Sequence, residues 1–326
     1  YLTLVGFGTD NATEEENTLI ENIENSELAS VGGDTLDLQT VGEHGSLAEL
    51  IQDASDNGVE TRYLRAVMVG TEEKQKILSQ PSGSLSADYV VPSVDSITAI
   101  NETTSDELAV KLRYESPPDA PGENEMYLNP HSGEYEIDTD IESVDLTYEE
   151  AYWDDALRTA VNAHSEGEFG IVAAATTDEQ AASQLATAAE TVRTNRYGMV
   201  LGAAGAEPNA TMNDTYPMLN PVDYEHGLDN DELFLFGPTL TEGEEPTSRN
   251  FGAGLLGTLA GKLASRATSD PLYTDTLDGN RELVQSLSRG EVDVLREQYI
   301  IPVKDDGGRL TLEDNQSTEE WEAGVD

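Results

Sequence analysis

The residues FGAGLLGTLAGKLASR, Phe251 to Arg266, carry glycines and a lysine in the manner of a phosphate-binding loop. The pattern G-x-x-x-x-G-K-[ST] cradles phosphates with backbone N–H groups and holds magnesium with its final hydroxyl. Here Leu256 stands where the first glycine is needed, Gly257 comes one position late, and Leu263 replaces the hydroxyl residue. Gly6-Phe7-Gly8-Thr9 begins a dinucleotide fingerprint without its third glycine. Asp10, Glu14, Glu15 and Glu16 follow, and would set carboxylates where that motif offers bare N–H groups to a pyrophosphate. A tight turn accounts for it better. Thr176-Thr177-Asp178, Gly202-Ala203-Ala204-Gly205 and Gly237-Pro238-Thr239 read as further loops after apolar strands, the place where an open parallel sheet takes ligands.

Other chemistry finds no foothold. His44, His131, His164 and His226 have no partner at metal-ligand spacing, and no H-E-x-x-H occurs. DNDE and KDDGG lack EF-hand spacing and read as a solvated loop and a hairpin turn. No serine sits in a G-x-S-x-G elbow. The absence of cysteine excludes disulfides, thiolate metal sites and cysteine nucleophiles. Catalytic, cofactor-binding and metal residues are therefore all read as none, with no cofactor.

The elements that would position such groups are clearer. Leu255, Leu259 and Leu263 recur every four residues beside a strip of Ala253, Gly257, Ala260, Gly261 and Ala264, which predicts a helix packed closely by its small face. YLTLVGFGTD predicts a strand, followed by a glutamate-rich helix and a second strand at DTLDLQTVG. SLAELIQDASDNG predicts a helix closed by Gly58, and ETRYLRAVMVG another strand. After the linker SQPSGSLSADY, short strand runs at SITAI, LAVKLRY, EMYLN and EYEID replace the helical period. SVDLTY is a strand, and Thr147-x-x-Glu150 a capping box before a helix whose apolar face is Trp153, Ala156, Leu157, Ala160, Val161 and His164. Strand FGIVAAAT, a helix begun by Thr177-Asp178-Glu179, and strands YGMVLGAAG and ELFLFGPTL follow. Short helices at NRELVQSL and EVDVLREQ precede a hairpin, YIIPVKDDGGRLTLED, turning at Asp306-Gly307-Gly308.

This order predicts an α/β fold: a doubly wound, mostly parallel sheet core with a β-rich inserted domain. The divisions are 1–78, an N-terminal α/β segment of the core; 79–142, the β-rich insertion; and 143–326, an α/β core with C-terminal helices and hairpin.

The chain has 326 residues, with 65 acidic and 17 basic ones, a net charge of -48 at pH 7. Self-repulsion on that scale opposes a compact state unless salt screens it. At molar salt the Debye length falls to about 3 Å, so the composition reads as that of an extreme halophile or a virus of one. No basic stripe offers itself to nucleic acid, and no run approaches the roughly 18 apolar residues of a membrane span. The opening at Tyr1 reads as a fragment or processed form. Five N-x-[ST] triplets occur, at Asn11, Asn101, Asn209, Asn213 and Asn315.

The segment YEEAYWDDALRTAVNAHSEGEFGIVAAATTDEQAASQLATAAETVRTNRYGMVLGA resembles the core of contractile tail sheath proteins. GAGLLGTLAGKLAS resembles their small-residue helix, and LDGNRELVQSLSRGEVDVLREQYIIPVKDDGGRLTLEDNQST their two short helices and closing hairpin. SLAELIQDASDNGVETRYLRAV is similar to an early sheath segment. The hairpin has LTLEDNQST where the family often carries Trp-Gly and Arg-Thr. The resemblance implies a mechanical, non-enzymatic role: subunits that stack in rings around an inner tube and contract to drive it through an envelope. Implied partners are neighbouring sheath subunits, the inner tube protein, a baseplate and a tail terminator, in a virion tail or a cytoplasmic injection particle. Two rivals stand beside it, a nucleotide-dependent α/β enzyme and a haloarchaeal surface glycoprotein.

Overall fold

The computed structural model describes residues 1–8, 19–20, 46–60, 63–85, 89–114, 120–164, 169–196, 199–207, 219–221, 227–244, 252–265, 276–277, 282–305 and 310–313. The glutamate-rich helix after Gly8, the strand at DTLDLQTVG and the turn at Asp306-Gly307-Gly308 lie outside the described residues, as do His44 and His226.

The main sheet is mostly parallel. Strands β1 (Leu2–Gly6), β3 (Leu64–Met68), β11 (Phe169–Ala174), β12 (Met199–Gly205), β13 (Leu233–Gly237) and β15 (Ile300–Asp305) run in one direction, in the spatial order β3-β1-β11-β12-β13-β15. Antiparallel strands flank them: β2 (Leu19–Ile20) beside β3, and β16 (Leu310–Leu312) then β14 (Thr276–Leu277) beyond β15. Successive side chains of a strand face opposite ways. Leu2 and Leu4 accordingly join one apolar cluster and Val5 the other. Helices α1 (Ser46–Asp56) and α4 (Leu256–Ser265) supply the first cluster. Helices α2 (Trp153–Asn162), α3 (Glu179–Arg196) and α5 (Arg289–Glu297) supply the second.

Helix α4 packs by its small face, and the neighbour is α1. A Cβ added at Gly257 would lie 2.7 Å from the Leu50 carbonyl oxygen, and one at Gly261 2.9 Å from that of Ala54. Gly58 closes α1 at φ +93°, in the left-handed region open to glycine. His164, expected on the apolar face of α2, lies two residues beyond the helix end, buried, with Nε2 3.2 Å from Thr3 Oγ1. A true capping box stands at α5, where Ser288 and Glu291 exchange side-chain and backbone hydrogen bonds.

Strands β4 (Thr71–Leu78) and β10 (Val144–Ala151) pair over their whole length, and β6 (Thr98–Asn101) completes a three-stranded sheet. Four more strands, β5 (Ser82–Ser84), β7 (Ala109–Leu112), β8 (Glu125–Leu128) and β9 (Glu134–Ile137), form a separate sheet in the order β5-β9-β8-β7. The two share an apolar cluster including Leu78, Leu85, Val90, Ile97, Met126 and Leu146.

Four local expectations need correction. The Thr147–Glu150 capping box does not form, because both residues lie inside β10, held extended by its ladder to β4; α2 starts at Trp153. Residues 282–287 of NRELVQSL are not helical. There the backbone pairs with the 240–242 segment, Val284 N–H donating to Leu240 O at 3.2 Å and Glu242 N–H to Glu282 O at 2.8 Å. The linker SQPSGSLSADY contains strand β5, paired to β9. Gly202-Ala203-Ala204-Gly205 is no loop but the end of β12, where Gly202 faces Leu185 so closely that a Cβ would lie 2.8 Å from its Cγ.

Candidate functional site

Ligands of an open α/β sheet bind beyond the carboxyl ends of its strands, where successive connections leave in opposite directions. That point falls between β1, whose chain goes on to β3 on one side, and its other neighbour β11. Phe7 follows β1 and is fully buried there. Its N–H donates to Ser46 Oγ at 2.7 Å and its carbonyl accepts from Leu47 N–H at 3.1 Å, which ties the loop to the start of α1. The Phe7 ring stands edge-on to Trp153 at 5.3 Å and stacks on Tyr89 at 6.1 Å between centroids. The crevice is filled by the chain's own aromatic rings.

The glycine-rich approach to α4 is also occupied. Gly252 and Gly254 have positive φ, +88° and +31°, and turn their N–H groups toward one point. Glu244 sits at that point. Its Oε1 accepts from Gly252 N–H at 3.1 Å and Gly254 N–H at 2.8 Å, and its Oε2 from Thr241 N–H at 2.7 Å. The feature that looked like a phosphate loop does cradle an anion, and the anion is a buried carboxylate of the same chain.

The start of α3 repeats the arrangement. Asp178 caps it, accepting from Ala181 N–H at 3.0 Å, and the Asp178 N–H donates to Thr176 Oγ1. Glu207, just past β12, accepts from Glu179 N–H at 2.9 Å through Oε2. Its Oε1 lies 3.3 Å from Nδ1 of His131, whose side chain is 5% exposed. Tyr89 stacks on the His131 ring at 5.5 Å and Tyr114 meets it edge-on at 5.1 Å. Burial opposes a charged imidazole, but the Glu207 hydrogen bond and the charges of Asp178 and Glu207 outweigh it and raise the His131 pKa above 6.5. Burial pushes Glu207 upward too, yet His131 and the Glu179 N–H bring it below 4.5. Burial raises Asp178, only partly offset by His131 and the Ala181 N–H.

At this edge lies a cleft of about 210 Å³ lined by residues including Tyr89, Trp153, Asp154, Asp155 and Asp178. It is smaller than the roughly 300–1,000 Å³ of ordinary ligand pockets, and its carboxylates repel phosphate. Among the described residues no group of three or more His, Asp or Glu side chains could hold a metal ion, and no helix is long and apolar enough to cross a membrane. DNDE is tied down rather than free, with Arg193 Nη1 2.5 Å from both Asp231 and Glu232. The KDDGG turn lies partly outside the described residues. Asn101 is buried, and its side chain accepts from Thr103 N–H at 2.9 Å. Asn11, Asn209, Asn213 and Asn315 lie outside the described residues.

The chain matches no protein-family model and no curated protein sequence. Among solved structures it is similar to the sheath tail protein of Desulfitobacterium hafniense, at 10% identity and a TM-score of 0.45, over 97% of this chain and 71% of that one. It is also similar to a sheath tail protein of Listeria innocua, at 14% identity and a TM-score of 0.45, over 96% of this chain and 67% of that one. At these values the similarity is one of fold and assigns no role.

The roles of Glu244, Glu207 and His131 were not legible in the sequence. Among 65 acidic residues no single carboxylate stands out. His131 comes from the β8–β9 turn, and only the fold brings it to the end of β12.

Proposed function

We propose that this chain is a structural subunit of a contractile tail sheath, polymerising as stacked rings around an inner tube and contracting to drive it through a cell envelope. The observation that carries the reading is the occupied carboxyl edge. Phe7, Tyr89 and Trp153 fill the crevice, and Glu244, Glu207 and Asp178 take the N–H groups that an anionic ligand would need. A chain that spends its ligand positions on internal contacts fits a mechanical part better than an enzyme. In this reading no residue is catalytic, and none holds a cofactor or a metal.

The sequence resemblance to the sheath family supplies the rest. Its quoted segments include α1, α2, α3 and α4 and the α5–β15–β16 run, elements that build both apolar clusters of the main sheet. Helices against both clusters support a doubly wound core, and the two small sheets support a β-rich inserted domain at 79–142. The partners would be neighbouring subunits, the tube protein, and a baseplate and terminator, in a virion tail or a cellular injection particle. The -48 charge supports a halophilic setting. The nucleotide-enzyme reading is disfavoured by Glu244, and glycosylation at Asn101 by its burial.

Negative-stain microscopy of the full-length protein in molar salt tests the proposal. Long striated tubes are expected. Dispersed particles at every salt and protein concentration would overturn it.

A further inference from the structure

We propose that the amino edge of the main sheet docks, through a row of apolar side chains, into the carboxyl-edge cleft of a second copy of this chain. Strands β3, β1, β11 and β12 are adjacent and parallel, so their starts line up along one edge. Tyr63 precedes β3 at 42% exposure and Tyr1 precedes β1 at 43%, while Phe169 opens β11 and Met199 opens β12 at 56%. Contacts join them into one row. The Tyr1 ring stands edge-on to Tyr63 at 5.9 Å, the Tyr1 amine donates to the Phe169 carbonyl at 3.3 Å, and Phe169 is the register partner of Met199. At the next strand the edge turns polar, where Arg193 holds Asp231 and Glu232 just ahead of β13.

Single exposed apolar side chains are ordinary, but a contiguous row rimmed by charge marks a contact surface. Tyrosine and methionine are residue types that interfaces favour. The row spans three strand spacings, about 14 Å, and its four side chains fall well short of the roughly 20–30 residues a side of a lasting two-chain complex. One such contact holds weakly and gains strength only by repetition along a polymer. It needs a partner present in many copies, and the chain itself is one under the sheath reading, on which this inference rests.

The opposite end of the same sheet offers the complement. Tyr89, Ala151, Trp153 and Ala181 give the cleft a buried aromatic and alanine lining, and Asp154 and Asp155 stand exposed at its rim. Asp154 is paired with Arg158, which leaves the Asp155 carboxylate to face an incoming group. The row brings a guanidinium, Arg65, 4.3 Å from the Tyr1 ring centroid, together with two tyrosine hydroxyls. A carboxylate on one surface meets a cation and phenol donors on the other. Met199, unbranched and flexible, suits a cleft too narrow for an ordinary ligand. Because row and cleft lie at opposite ends of the sheet, the contact is heterologous. Each docking leaves one row and one cleft open for the next copy, so the contact propagates instead of closing.

The test uses the full chain in molar salt, with sedimentation velocity, negative-stain microscopy, and circular dichroism to verify the fold. Met199→Glu and Asp155→Arg should each raise the protein concentration needed for assembly at least about tenfold. The double variant sets the new carboxylate against the new guanidinium across the contact and should regain assembly. Ile77→Glu, 61% exposed on β4 and outside the row, should assemble as the wild type does. Tubes that ignore both single variants would overturn the docking and leave the sheath reading intact. Open filaments sensitive to both would support the docking and sink the sheath, and wild type dispersed at every concentration would overturn both. A double variant as defective as the single ones would also count against the docking. Methionine oxidation gives a check that needs no variant. Met199 should form its sulfoxide more slowly in assembled than in dispersed wild type, and equal rates would overturn the proposal.

Discussion

Glu244 shows how one side chain closes a site. Three backbone N–H groups point at it, and each would be stranded if the carboxylate were removed. A stranded buried donor costs about 1–3 kcal/mol, so Glu244→Ala is expected to lower stability by at least about 2 kcal/mol in a denaturant titration at molar potassium chloride. The same variant leaves an empty cradle of N–H groups. Millimolar phosphate should therefore raise its melting temperature while leaving the wild type unmoved; equal shifts would show that the cradle is not the site. Gly257 gives a second case. A leucine there has to displace the Leu50 backbone, 2.7 Å from the added Cβ, and overpacking of this kind costs roughly 1–3 kcal/mol. Lys262 on the same helix is half-buried, and Lys262→Ala should cost clearly less than Gly257→Leu. Comparable losses from both variants would contradict the packing role of α4's small face.

Whole elements were easier to read than the places where they meet. Period decided the helices: Trp153, Ala156, Leu157, Ala160 and Val161 are all buried on one face of α2, as their spacing requires. It could not place the start of α2, because Thr147 and Glu150 satisfy a capping rule while a partner strand distant in sequence holds them extended. NRELVQSL failed for the same reason, since its hydrogen bonds go to residues 240–242 rather than to itself. Pairing with distant segments overrides local preference, and a single sequence does not display it. The β-rich block carries a prediction at this scale. Asn101 and Val144 are register partners, so a short Asn-Gly turn can replace residues 102–143. That excision keeps Tyr89 and Val91, which belong to the second cluster of the main sheet. Removing 79–143 instead takes both away, and losing a buried aromatic alone costs about 3–5 kcal/mol. The shorter excision is expected to fold at molar salt, with a denaturation midpoint clearly above that of the longer one. Equal midpoints would mean that the 89–91 segment adds nothing to the core.

The whole molecule is governed by charge and by the path of the chain. With -48 net charges, lowering salt to about 0.1 M lengthens the Debye reach to about 10 Å and restores self-repulsion. Loss of helix signal or assembly in circular dichroism and sedimentation is expected below molar salt; an unchanged molecule would remove the halophilic reading. The path of the chain adds a consequence in time. The central pair β1 and β11 joins residues far apart, as the Tyr1 amine reaches the carbonyl of Phe169, 168 positions on. Much of that separation is spanned by β4 to β10, whose two ends meet where Tyr152 N–H donates to Gly70 O at 3.0 Å. Once the β4–β10 ladder has zipped, the stretch from Gly70 to Tyr152 acts as a closed loop and no longer separates β3 from α2. Each halving of an open loop saves only about 0.6 kcal/mol of closure entropy, but the search for β11 becomes that of a much shorter chain. The module that adds the most sequence between the core strands would then hasten their meeting, and pulse-labelled exchange should protect β4 and β10 before β1 and β11.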